Sequence, residues 1–232
     1  MGMVGLCTVP LVRDKQNIIV DTGHFGNRRL LLNALKRENL SPGEIDIVVL
    51  SHMHWDHVMN VDLFPKSTFV IHAKEFKYAH AIKASDWATP PYITPILDKM
   101  KVKTISGETK LSDDVSLVET PGHTVGHIST VVKTPEGKVV IAQDALPNAR
   151  SMLRQMPDLV FGNERDAKAS IKKIAALGAD VIYPGHDRPF RYKNGKIQYI
   201  GQSGLKVILR REVEENFSLM LATEEADKPE II

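Results

Sequence analysis

The stretch His52-Met53-His54-Trp55-Asp56-His57 packs three imidazoles and a carboxylate into one short segment, directly after the apolar run Val48-Val49-Leu50. The same form recurs along the chain. Val118-Glu119-Thr120-Pro121-Gly122-His123, Val140-Ile141-Ala142-Gln143-Asp144 and Val181-Ile182-Tyr183-Pro184-Gly185-His186 each end on a metal-type ligand, and Ile18-Ile19-Val20-Asp21-Thr22-Gly23 ends on a carboxylate and a turn. Alternate side chains of an extended segment point the same way, so His52 and His54 can grip one ion together. Asp56 and His57 follow as the chain turns into a helix, and they diverge toward a second position. Imidazole nitrogen and carboxylate oxygen without thiolate suit zinc, iron(II), manganese or cobalt. Asp144 has the chemistry to bridge two ions, because a carboxylate offers two oxygens. A pair of ions can share one hydroxide, lower the pKa of its parent water toward about 7, and polarise a carbonyl or phosphoryl oxygen. Hydrolysis is the reaction such a site does best. As mere turn residues the same side chains would be buried polar groups without partners, which is costly.

The rest of the chain has to position these groups. With 232 residues, 43% of them hydrophobic, it can bury one sizeable core and reads as a single domain over residues 1–232, the last stretch 222–232 being a charged, mobile tail. Charged residues make up 25% and the net charge is +2, so neither disorder nor polyanion binding is indicated. Cys7 stands alone, which excludes a disulfide within the chain and suits a reducing cytosol. No apolar stretch approaches the roughly 18 residues of a membrane span, and no charged segment followed by an apolar one marks export. The expectation is a soluble cytoplasmic protein with no membrane partner.

Leu6–Val12 and Asn17–Val20 read as a hairpin about Arg13-Asp14-Lys15-Gln16. Leu30, Leu31, Ala34 and Leu35 have helical spacing within 27–39, and Ser41-Pro42-Gly43 closes that helix. Strands are expected over 45–50, 69–72, 115–119, 128–133, 138–141 and 181–183, with helices over 73–84 and 166–177. Asn194-Gly195 turns a hairpin joining 191–192 to 197–200. Segments 207–209 and 217–221 are further strand candidates. The segment 87–97, with its prolines and aromatics, reads as a loop or broken helix over a cleft. Each half of the chain thus has strands, a helix and ligand-bearing strand ends. Short apolar strands buried on both faces need covering helices, so the expected α/β architecture is a two-layer sheet core with helices outside.

These residues resemble the metallo-β-lactamase superfamily. Its pattern of D-T-G, H-x-H-x-D-H, P-G-H, a single Asp and a final G-H runs here from Asp21 to His186. The resemblance implies a four-layer αββα sandwich of two mixed sheets with metals at one edge. It implies that His52, His54 and His123 hold one ion, that Asp56, His57 and His186 hold the other, and that Asp144 bridges them. Asp21 would orient the ligands rather than bind metal. Two divalent ions are expected, zinc first, with Fe2+ or Mn2+ as alternatives. Asp144 matches the hydrolase branch, where true β-lactamases carry Cys or Ser. The flavodiiron branch carries Glu where His54 stands. Acyl-homoserine lactonases usually have a tyrosine shortly after the bridging aspartate, and Ala145-Leu146-Pro147 lacks it. A compact subfamily of the metallo-β-lactamase domain-containing protein 1 type is similar in Leu40-Ser41-Pro42-Gly43, in 60–65, and in Pro184-Gly185-His186 continuing to Pro189-Phe190-Arg191.

The activity expected is metal-dependent hydrolysis of a small ester, thioester or lactone, with Asp56 or Asp144 managing the proton. The alternatives are a phosphodiesterase or ribonuclease at the same site, with Arg188 and Arg191 on phosphate, and a non-catalytic metal- or ligand-binding protein. A wide basic groove to the metals would favour nucleic acid, which is not the preferred partner because no aromatic platform interleaves with the charges. His127 is expected to support the ligands. His24, Tyr92, Arg188 and Arg191 are candidate substrate contacts, against packing or solvated surface as the simpler roles. His72 and His80 read as fillers of a strand and a helix. The stretch before Asp21 is short for this fold, so the expectation is that an edge strand is missing or that a partner chain supplies it, and a homodimer is expected.

Overall fold

The computed structural model describes residues 6–201 and the backbone of two more strands, Lys206–Leu209 and Phe217–Met220, which pair with each other antiparallel. The expected tail 222–232 lies outside the described residues. The first half of the chain builds one five-stranded sheet in sequence order, from β1 (Leu11–Arg13) through β2 (Asn17–Val20), β3 (Ile47–Val49) and β4 (Thr68–His72) to β5 (Lys101–Ile105). β1 and β2 form the expected antiparallel hairpin, and the other pairs are parallel. Parallel neighbours need crossovers. Helix α1 (Arg28–Arg37) makes the first, the short α2 (Trp55–Val58) lies in the second, and α3 (Ala73–Ala79) and α4 (Thr94–Leu97) lie in the third.

The second half builds a seven-stranded sheet, ordered β12-β11-β10-β9-β8-β7-β6. Its strands are β6 (Thr109–Lys110), β7 (Val115–Glu119), β8 (Ile128–Thr134), β9 (Gly137–Gln143), β10 (Val181–Pro184), β11 (Phe190–Lys193) and β12 (Lys196–Tyr199). All neighbours are antiparallel except β9 and β10, whose crossover carries α5 (Ala149–Arg154) and α6 (Glu164–Ala176).

Alternation along the strands sorts the apolar side chains into layers. Ile18, Val20, Ile47, Val49 and Val70 of the first sheet meet Val115, Leu117, Ile128, Val132 and Ile141 of the second, so the sheets pack face to face. Ile19, Val48, Phe69 and Ile71 point the other way, onto Leu31 and Leu35 of α1. Val118, Val131, Val140 and Ile182 likewise cover Ile171 and Ile174 of α6. The result is the expected αββα sandwich, with each half of the chain supplying one sheet. Among the described residues, no helix is long and apolar enough to cross a membrane.

Three local expectations change. Residues 6–10 do not extend β1 as a strand. They run past the end of β10, where the Thr8 amide donates to the Gly185 carbonyl at 2.7 Å. The helix expected over 73–84 ends at Ala79, and Asp86 turns the following chain by accepting from the amides of Ala88 and Thr89. Helix α5 was not expected; Asn148 caps it by accepting from the Ser151 amide at 2.9 Å.

Candidate metal centre

The ligand-bearing turns all lie at one edge of the sandwich because each follows the C-terminal end of a strand that enters from the same side. Two of the strands end on a residue in the left-handed region, Asp21 (φ 61°) after β2 and Gln143 (φ 48°) at the end of β9, which bends the chain sharply off the sheet. Gly185 allows the tightest approach: a Cβ there would stand 1.9 Å from Asp144 Oδ1.

His52, His54 and His123 present ring nitrogens to one another, and His54 Nδ1 stands 3.0 Å from His123 Nε2. Two donors on one tetrahedral zinc, each at about 2.0–2.2 Å, would stand about 3.3 Å apart. Asp56, His57 and His186 form the adjoining cluster, with Asp56 Oδ2 3.3 Å from His186 Nε2 and 3.6 Å from His57 Nε2. Asp144 lies between the two clusters. Its Oδ1 is 3.4 Å from His57 Nε2 and 3.2 Å from His186 Nε2, and its Oδ2 is 3.2 Å from His186 Nε2 and 3.4 Å from His123 Nε2.

Partners on the far side of the rings fix which nitrogen is free. His123 and His186 donate from Nδ1 to the carbonyls of Leu159 (2.9 Å) and Leu6 (3.0 Å), which can only accept. His57 Nδ1 donates to Asp21 Oδ2 at 2.7 Å. The Ser51 hydroxyl donates to the same oxygen at 2.7 Å, so it accepts from His52 Nδ1 at 2.9 Å. Each of these rings therefore turns Nε2 into the cluster, the nitrogen through which an unprotonated imidazole binds metal. Among the described residues, the buried atoms His52 Nε2, His57 Nε2 and Asp144 Oδ1, all turned into the clusters, have no hydrogen-bond partner. Leaving such atoms unpaired is expensive, and a shared cation satisfies them together, so the residues fit a metal site.

The electrostatics divide along the same line. Burial holds His52 and His54 well below the ordinary imidazole range, the neighbouring rings adding to the effect, and burial lowers His123 as well. These rings stay neutral. Burial opposes charge at His57 and His186 too, but negative charge outweighs it: the Cys7 sulfur as thiolate, then Asp144, Asp56 and Asp21, raise His57, and Asp144 raises His186. Burial would raise Asp144, yet His186 and His57 hold its carboxyl well below the usual range. The second cluster thus demands positive charge, which a divalent ion supplies.

A match to the metallo-beta-lactamase superfamily model spans residues 3–186. The chain belongs to the metallo-beta-lactamase superfamily. It is 32% identical to a probable metallo-hydrolase of Methanocaldococcus jannaschii over 73% of this chain and 70% of that protein. It is 29% identical to metallo-beta-lactamase domain-containing protein 1 of Xenopus laevis, over 82% of this chain and 75% of that one. Among solved structures it is similar to a quorum-quenching N-acyl homoserine lactone hydrolase, with a TM-score of 0.65 and 25% identity over 76% of this chain and 78% of the other. The chain is a metal-dependent hydrolase of this superfamily with a His/Asp site for divalent metal.

Around this superfamily site the remaining candidates separate. Asp21 is fully buried and uses both oxygens on Ser51 and His57. His127 accepts from the Ala145 amide through Nε2 (3.2 Å) and faces the Thr120 hydroxyl through Nδ1 (2.9 Å), tying β7 to the residue after Asp144. A cavity of about 570 Å3 opens onto the clusters, walled by Trp55, Trp87, Leu159 and Phe161 on its apolar side and by Asn148, Arg150 and Arg188 on its polar side. Of the proposed substrate contacts, only Arg188 lines it. His24 instead turns Nδ1 onto the Gly26 amide at 2.9 Å, Tyr92 reaches the Met59 sulfur at 3.4 Å, and Arg191 is an exposed residue of β11 paired with Gln198. His72 caps α3 and pairs with Glu119 at 2.7 Å, while His80 pairs with Asp98.

Sequence reasoning missed several contributors. Glu75, fully buried in α3, accepts from the Met53 amide at 3.1 Å and the Gly126 amide at 2.8 Å, clipping the two ligand loops together. Burial pushes its carboxyl up to about 7, against the pull of those backbone donors. A lone acidic residue in a first helical turn reads as helix-terminus electrostatics, so sequence gave no cue. Leu6 and Leu159 act through backbone carbonyls, which no side-chain pattern reveals. Arg150 had a cue in its nearness to Asp144, six residues earlier.

Proposed function

We propose that the chain is a dinuclear hydrolase of small carbonyl substrates, esters, thioesters or lactones, in which His52, His54 and His123 hold one ion and Asp56, His57 and His186 the other. The observation that carries this reading is the placement of Asp144 between the clusters, its carboxylate within 3.2–3.4 Å of His57 and His186 on one side and 3.4 Å of His123 on the other. Zinc suits the nitrogen-rich set best, with Fe2+ or Mn2+ as alternatives. Divalent ions held there supply an acidified water as nucleophile and positive charge for the oxyanion. The chain supplies the rest. Asp21, Ser51 and the Leu6 and Leu159 carbonyls keep the imidazoles in register. Asp56 lines the cavity with its side chain 13% exposed, so it can take the proton of an attacking water and return it to the leaving group. Asp144 can share that task. The apolar wall excludes bulk water and receives the acyl or alcohol portion of the substrate.

The cavity supports a small molecule over nucleic acid: one wall is aromatic and apolar, and Arg191 lies outside it. Its opening onto the clusters supports turnover over simple metal binding. The single Cys7 supports a cytoplasmic setting, and the outer edge of β1, unpaired among the described residues, supports a homodimer of single-domain chains. The deciding assay compares zinc- and manganese-loaded protein on an aryl ester, a thiolactone and bis(p-nitrophenyl) phosphate, with His54→Ala as control. Carbonyl turnover that disappears in His54→Ala supports the reading. Phosphodiester turnover alone would replace it with the nuclease, and inactivity on every substrate with the non-catalytic protein.

A further inference from the structure

The cavity beside the metal centre has two chemically different walls, and neither is needed to hold metal. On one side Trp87 and Leu159 are 69% and 52% exposed, unusually high for residues of that size. Trp87 meets Phe161 edge-on at 5.5 Å, and Phe161 meets His54 at 4.6 Å, so an apolar strip leads from solvent to the ligands. On the other side stand Arg150 and Arg188. The acidic groups nearby are already committed. Asp187 accepts from the Ala149 amide, the Tyr199 hydroxyl and the Arg188 amide. Asp158 is bound by Asn148 and Arg154. Asp56 and Asp144 belong to the clusters. Among the described residues, neither Arg150 nor Arg188 has a carboxylate partner. Arg188 instead lies with its guanidinium 4.2 Å over the Tyr199 ring, which fixes the plane of its donors. Asp187 holds the start of α5 against the Arg188 segment, so the two cations belong to one wall.

We infer that the substrate carries an anionic group, carboxylate or phosphate, which Arg150 and Arg188 bind, and an apolar arm that lies along Trp87, Leu159 and Phe161, with the scissile carbonyl between them. This rests on the proposed carbonyl hydrolase reading and narrows it. A neutral acyl lactone would use the apolar strip and leave both guanidinium groups idle, whereas an anionic ester or thioester uses both walls. Two guanidinium groups favour planar anions because their paired N–H donors match two oxygens at once.

Both tryptophans of the chain, Trp55 and Trp87, line this cavity, so intrinsic fluorescence reports its occupancy without any turnover. Inert probes sharing one apolar arm would be titrated into the metal-loaded protein: 3-(hexyloxy)benzoate, 3-(hexyloxy)phenylphosphonate and neutral 3-(hexyloxy)benzamide. The expected result is binding of at least one anion about tenfold tighter than the amide, the size of two partly exposed charge-assisted contacts. The tighter of the two anions identifies the anionic group. Arg150→Gln should remove part of that preference and Arg150→Gln/Arg188→Gln nearly all of it, with amide affinity unchanged. Equal affinity for all three probes would overturn the inference. So would an anion preference that survives in the double variant, because the metal centre would then be the anion's site. The aryl ester assay tests the hydrolase reading separately, since probe binding does not depend on hydrolysis.

Discussion

Asp21 sets the protonation of one imidazole in each cluster, so Asp21→Asn tests how the site is held together. In the native protein Oδ1 accepts from the Ser51 amide at 2.7 Å, and Oδ2 accepts from the Ser51 hydroxyl and His57 Nδ1, both at 2.7 Å. An asparagine can be oriented two ways, and each fails. With its oxygen toward Ser51 Oγ and His57, its NH2 faces the Ser51 amide, a buried clash of donors costing about 1–3 kcal/mol. With its oxygen toward the Ser51 amide, its NH2 donates to Ser51 Oγ and faces His57 Nδ1. The Ser51 hydroxyl then donates to His52 Nδ1, and His52 and His57 both turn an N–H, rather than a lone pair, into the clusters. The metal-free variant can rest in the second arrangement, but metal binding forces the first. Affinity for both ions should therefore fall by roughly 10–100-fold, the range seen when an orienting carboxylate is lost. Competition with a chromophoric chelator measures this, with Tm of the chelated protein recorded beside it. Native affinity for both ions in Asp21→Asn would refute the reasoning. So would loss of metal that merely tracks loss of folded protein.

Metal uptake near pH 7 should release about one to two protons, because His57 and His186 are held above the ordinary imidazole range while His52, His54 and His123 are already neutral. Calorimetry in buffers of different ionisation enthalpy counts them, and a buffer-independent heat would contradict the assignment. Glu75, raised to about 7 from 4.5, keeps its proton in the native chain over a range where the unfolded chain has lost it, so its contribution to stability falls as pH rises from about 4.5 to 7 and is flat above. Glu75→Gln has no such slope. Relative to wild type its stability should therefore rise by about 3 kcal/mol between pH 4.5 and 8, read from urea unfolding in the presence of chelator. Gly185→Ala places a Cβ within 1.9 Å of Asp144 Oδ1 and 3.0 Å of the Gln143 carbonyl carbon, so Asp144 must move off its position. Cooperative unfolding with fewer than two tightly bound ions is expected by mass spectrometry, and full metal occupancy would show that the position of Asp144 is not what holds the pair.

Much of this site was legible in the sequence because its chemistry is local. His52, His54, Asp56 and His57 lie within one turn-forming segment, and His123, Asp144 and His186 each follow an apolar strand whose period and length are written in the chain. The sandwich was legible for the same reason: strands apolar on both faces, such as Val48-Val49-Leu50, demand cover on both. Other features depend on which segments meet, and only the tertiary structure decided those. The carbonyls of Leu6 and Leu159 orient His186 and His123 across 180 and 36 residues of chain, through groups every residue possesses. Glu75 acts only because α3 lies against the loops of Met53 and Gly126. His24, Tyr92 and Arg191 were plausible by residue type, but local geometry turned them onto Gly26, Met59 and the strand edge. Arg150 lines the cavity instead, because Asp187 pins the start of α5 beside it. The residue types at the strand ends and the strand period are properties of neighbouring residues, so the sequence by itself determined them. The shape and charge of the substrate cavity arise where distant loops pack together, and no single segment encodes that.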